Sequence, residues 1–180
     1  MNRPSLPVRT ARERDESDER LKTMKATISA EVVNAFVSPL LGVFQATTGL
    51  KAKLELHKLA SDVPSLPGVV VTINLSGRII GQAIWTFEPT VARAIAAHML
   101  ASSDSPALDS SECKDAVGEL ANILVGNATD ALLQAGFPVE LSVPTTMVPT
   151  AAQKLDHPSV RVSMNTEAGH VNLVLAVTQT

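Results

Sequence analysis

The chain has 180 residues, 45% of them hydrophobic and 18% charged. That suits one folded domain and excludes a wholly disordered chain. A net charge of −3, 3% aromatics and a single cysteine (Cys113) argue against a nucleic-acid surface and exclude an internal disulfide or a thiolate zinc site. No apolar run reaches the ~18 residues of a membrane span, and the N-terminal stretch is too polar for a signal peptide. The expectation is a soluble cytoplasmic protein that binds neither membrane nor nucleic acid.

Residues 1–24 read differently from the rest. Pro4 and Pro7 precede a stretch from Arg9 to Lys22 dense in Arg, Asp and Glu. Both signs alternate there, which predicts a solvated, disordered extension ahead of one domain over 25–180. Ile28 to Thr48 is apolar at helical spacing through Val32, Val33, Phe36, Leu40, Val43 and Phe44. Pro39 should kink or break that helix, and Gly49 is placed to cap its C-terminus. Leu50 to Leu59 alternates like a strand. Asp62–Gly68, with Pro64 and Pro67, reads as a loop. Val69–Leu75 and Ile79–Phe87 flank Ser76–Gly77–Arg78, the signature of a hairpin.

Pro89 suits the first turn of a helix ending near Leu100. After a loop over Ser102–Leu108, Asp109 is the expected cap of a long helix, with Glu112 completing a capping box. That helix should run to Gln134 and stop at Gly136–Phe137–Pro138. Val139–Val143, Val160–Met164 and Val171–Thr178 are the remaining strand candidates. The last has few charges and reads as a free edge for pairing with a second copy. The rhythm predicts an α+β fold with long helices packed on an antiparallel sheet. A short echo, Glu31-x-x-Asn34 ahead of Gly49 and Glu119-x-x-Asn122 ahead of Gly136, points to two pseudo-repeated halves.

The long helix is the most informative element. At 100° per residue, Val117, Leu120, Ala121, Leu124, Ala128 and Ala131 form a core stripe. Asp115, Gly118, Glu119, Asn122, Gly126 and Thr129 collect opposite it. Each interior glycine costs about 1 kcal/mol against alanine, and neither Gly118 nor Gly126 is at a helix end. Close approach by another backbone would account for them, whether a partner's or another element of the same chain. The residues alone leave that open, along with a merely solvated face. The four histidines (His57, His98, His157, His170) are never at ligand spacing, so no metal site is expected. Cys113 reads as structural.

Asp115-x-x-x-Glu119-x-x-Asn122, then Gly126–Asn127–Ala128 and Pro144, resembles the CheC/CheX/FliY phosphatases of bacterial chemotaxis, the single-site CheX proteins most of all. Gly81–Phe87 leading into Ala92–Ala96, and Asn34 through Gly49, are similar to their counterparts in that family. The resemblance implies that Asn122 orients a water and that Glu119 pairs with the active-site lysine of a phosphorylated receiver domain of the CheY type. It also implies a partner surface at Asp115, Gly118, Gly126 and Thr129, Mg²⁺ carried by the receiver, no cofactor of the chain's own, and a homodimer. A non-catalytic receiver-binding module is the rival reading, and a purely structural subunit the third. The early break expected at Pro39 speaks against a second active pair at Glu31 and Asn34.

Overall fold

The computed structural model describes residues 28–63, 68–149 and 153–180. The charged stretch over 1–24 and the centre of the proline loop therefore lie outside the described residues. The order is α1 (Ala30–Thr48), β1 (Ala52–Val63), β2 (Val69–Gly77), β3 (Ile79–Phe87), α2 (Pro89–Met99), α3 (Ser111–Gln134), β4 (Val139–Leu141), β5 (Thr145–Met147), β6 (Gln153–Thr166) and β7 (Gly169–Gln179). The strands form one antiparallel sheet ordered β1-β6-β7-β3-β2-β4, with β5 also pairing β2. This is the expected α+β architecture.

The sheet carries the internal repeat. Taking α1-β1-β2-β3 as one half and α3-β4/β5-β6-β7 as the other, exchange of the halves swaps β1 with β4/β5, β2 with β6 and β3 with β7. The strand order then reads the same from the opposite edge. The central pair is β3 and β7, in register from Ile79 opposite Gln179 to Phe87 opposite Val171. The C-terminal strand is therefore interior. Its Val171–Val177 run is buried throughout, as fits a strand with neighbours on both sides and packing on both faces. The reading of it as a free edge is thus corrected; the edges are β1 and β4/β5.

The helices cover one face of the sheet. Val32, Phe36, Leu40 and Phe44 of α1, and Val117, Leu120, Leu124, Ala128 and Leu132 of α3, join Val71, Ile73, Trp85, Phe87, Leu173 and Leu175 in one core. Val63, Val70, Ile84 and Val174 form a smaller cluster on the other face. The α1 helix continues through Pro39 rather than breaking. The proline forfeits one backbone hydrogen bond, a cost of about 3 kcal/mol, but completely buried side chains before and after it hold both segments on the same core. With the helix unbroken at Pro39, Glu31 and Asn34 stay on one continuous helix, contrary to the expected break that spoke against a second pair there. Both are exposed, Glu31 in the first turn. Gly49 caps α1 with φ 68° and gives its N–H to the Gln45 carbonyl.

The α3 start is one residue later than expected. Ser110, not Asp109, is the cap, its hydroxyl accepting from the Cys113 N–H at 3.1 Å. Glu112 then falls at the second helical position, so it makes no capping box. Its carboxylate is instead held below the usual range by its own backbone N–H, then by the Ser110 and Ser111 hydroxyls. At the far end Gly136, with φ 85°, sends its N–H to the Leu133 carbonyl while Phe137 bonds back to Leu132. The expected strand over Val139–Val143 ends at Leu141, and the separate β5 has no counterpart in the sequence reading. β6 begins at Gln153, well before Val160.

Candidate functional site

The site is built on α3, because its inner stripe fixes where its outer stripe faces. Cys113, Val117, Leu120, Ala121, Leu124, Ala128 and Leu132 are buried. Opposite them Asp115, Glu119 and Asn122 fall within an arc of about 60° and about 10 Å of helix length. Asp115 and Glu119 are exposed and Asn122 is half-buried. Among the described residues none of these three side chains makes a hydrogen bond or an ion pair. The contrast with Asn127 is informative, since its Nδ2 donates to the Ile123 carbonyl at 2.8 Å. Asn122 keeps both an acceptor and two donors available at the surface.

The two helical glycines separate. A Cβ at Gly126 would meet nothing within 4 Å, so this residue leaves open ground beside Asn122. Gly118 is buried, and a Cβ there would stand 2.9 Å from Thr146 Oγ1 of β5. The close approach at Gly118 thus comes from within the chain, which corrects its placement on a partner surface. Thr129 is half-buried and its hydroxyl donates to the Gly126 carbonyl at 2.6 Å. Of the six residues singled out in the sequence, Asp115, Glu119, Asn122 and Gly126 share the open face; Thr129 borders it with its donor engaged. Thr146 was missed, because only strand pairing brings it to the helix.

Other chemistry is thinly represented. Among the described residues no group of three His, Cys, Asp or Glu side chains gathers as metal ligands. His170 Nδ1 lies 3.9 Å from Glu55 Oε2, and His98 packs on the Gly49 backbone. Cys113 is fully buried, and burial pushes its thiol upward, against opposing pulls from Arg93 and Lys114. A thiol both buried and protonated is inert. Native protein should therefore take up no disulfide reagent at pH 7.5 and should label to one equivalent only when denatured. Native labelling at the rate of a free thiol would contradict this packing. Among the described residues no helix is long and apolar enough to cross a membrane.

The comparisons with known proteins converge. The family model for the chemotaxis phosphatase CheX matches residues 69–165, more than half of the chain. The CheY-P phosphatase CheX of Thermotoga maritima is 25% identical over 118 residues, covering 66% of this chain and 76% of that protein. In fold, the chain is similar to a CheC-like superfamily protein from Shewanella sp. PV-4, at TM-score 0.74 and 24% identity, covering 83% and 99% of the two chains. CheX from Vibrio vulnificus gives TM-score 0.72 and 24% identity over 82% and 99%. The Borrelia burgdorferi CheX solved in complex with CheY, BeF₃ and Mg²⁺ gives 0.63 and 18% over 83% and 96%.

Proposed function

Because the chain belongs to the chemotaxis phosphatase CheX family, we propose that it hydrolyses the aspartyl phosphate of a CheY-like receiver domain, with Asn122 orienting the attacking water and Glu119 docking the receiver's active-site lysine. The observation that carries this reading is the free Asn122 carboxamide, half-buried on the open face of α3 one turn from exposed Glu119. A CheY-P phosphatase relative and a CheX–CheY complex support the choice of substrate.

The chemistry asks little of the protein. An acyl phosphate carries a good leaving group, so the requirement is a water held in line and charge compensation around the phosphoryl group. The Asn122 carbonyl accepts one hydrogen bond from that water while its NH₂ donates nearby. Water oxygen bonds to phosphorus, the bond from phosphorus to the aspartyl oxygen breaks, and the receiver's carboxylate is regenerated. Mg²⁺ enters with the receiver. Glu119 pairs with the lysine beside the phosphoryl group and fixes the register of the two proteins as much as it adds energy. Asp115 extends the acidic end of the same face, and Gly126 lets the receiver come close beside Asn122.

A receiver substrate puts the reaction in the cytoplasm. A homodimer is expected in addition, formed at an edge strand rather than through β7; a monomer mass by light scattering would contradict it. The activity itself is tested by phosphate release from Mg²⁺-bound, phosphorylated receivers. Added protein should shorten the life of the acyl phosphate. An unchanged lifetime across several receivers would overturn the proposal.

A further inference from the structure

The edge strand beside β2 holds one residue more than its partner. Leu141 stands opposite Leu75 and Thr146 opposite Val71. The edge chain thus takes five steps where β2 takes four. The surplus lies at Ser142–Val143–Pro144. Ser142 still bonds Asn74, by its N–H to the Asn74 carbonyl and by its hydroxyl accepting from the Asn74 N–H, both at 3.0 Å. Val143 is thrown outward, 86% exposed. Pro144 has no N–H to give to a ladder and so fits an unpaired bulge position.

The bulge has a geometric consequence. Side chains alternate faces along a strand, so residues five apart point to opposite sides. Leu141 and Thr146 nevertheless lie opposite Leu75 and Val71, both of which belong to the core under the helices. The extra residue is what turns Thr146 toward α3. There its Oγ1 occupies the space a Cβ on Gly118 would need. Gly118 directly precedes Glu119 and lies one turn before Asn122.

We propose that the Val143–Pro144 bulge and Thr146 are positioning elements: they seat the Gly118 turn of α3 against β5 and so fix where Glu119 and Asn122 stand. This rests on the phosphatase reading for its kinetic consequence, though the contact itself does not. It accounts physically for a proline so far along the chain from the residues it serves.

Four variants test it: Thr146→Ser, Thr146→Ala, Gly118→Ala, and Gly118→Ala with Thr146→Ala. Thr146→Ser keeps the oxygen and should match wild type. Gly118→Ala forces a methyl against that oxygen, and displacing reacting groups by a fraction of an ångström should lower kcat about ten-fold with KM within about two-fold. In the double variant the methyl fills the space the hydroxyl vacated, and kcat should return to within about three-fold of wild type. Thr146→Ala, which introduces no clash, serves if Gly118→Ala does not fold; its kcat should fall several-fold while Thr146→Ser does not change. A Gly118→Ala kcat like wild type, a double variant no better than the single, or equal effects of Ser and Ala at 146 would overturn the proposal. The side-chain NH₂ resonances of Asn122, which are remote in bonds from position 118, are read in the same proteins without substrate. They should shift in Gly118→Ala and return in the double variant, and shifts that do not return would overturn the proposal even where no receiver is hydrolysed.

Discussion

Asn122→Ala should lower kcat for receiver dephosphorylation about 100-fold, while leaving the fold intact. The side chain makes no hydrogen bond within the chain's described residues and stands half-buried on a helix face. Its removal therefore breaks nothing internal, and alanine is the better helix former. Stability should change by less than about 0.5 kcal/mol, and binding of a receiver loaded with a phosphoryl mimic should weaken little. Asn122→Asp is the sharper companion. It nearly preserves shape but removes both donors and sets a negative charge beside the phosphoryl group, so it should be as inactive as the alanine variant. Loss of activity with loss of folding would instead make Asn122 a structural residue.

Two residues earlier on the same helix the opposite result is expected. Leu120 is fully buried between α3 and the sheet. Leu120→Ala removes that packing and leaves a cavity, at a cost of about 2–5 kcal/mol, which corresponds to a fall in Tm on the order of 10 °C for a domain of this size. Trp85 is the only tryptophan, 1% exposed in the same core and stacked with Phe87 at 6.1 Å between ring centroids. Its fluorescence reports the transition directly. Below its Tm the variant should still hydrolyse receivers, with kcat reduced by no more than about ten-fold, the effect expected of a small shift of α3 on the sheet, since Glu119 and Asn122 themselves are intact. A loss of kcat as large as that of Asn122→Ala would mean that the inner stripe supplies the site rather than supporting it.

The α3 helix was legible because its inner stripe repeats at helical spacing and its outer stripe carries two acids, an amide and two glycines that propensity disfavours. The hairpin at Gly77 was legible for the same local reason. What escaped reading was set by pairing. Nothing within Ser142–Met147 says that β2 will pair both sides of a bulge, and without that register Thr146 has no reason to meet Gly118. Pro39 was misread because the local cost of a helical proline is visible in sequence while the burial of Phe36, Leu40 and Phe44 that offsets it is tertiary. β7 is the instructive error. Its Val171–Val177 run holds one polar residue, Asn172, whose amide donates to Thr86 Oγ1 at 3.2 Å and accepts from Ser163 at 2.7 Å. So unbroken an apolar run signals a strand covered on both faces, whereas the lack of charge alone is equally compatible with a free edge.

Turnover is what separates hydrolysis from docking. A phosphorylated, Mg²⁺-bound receiver in roughly 50-fold excess is mixed with the protein, and released phosphate is followed to completion beside Asn122→Ala. Release of many phosphates per molecule of protein by wild type, and a rate about 100-fold slower with Asn122→Ala, is the predicted result. Binding of the receiver with no acceleration by either protein would contradict it, leaving a domain that docks on receivers without hydrolysing them.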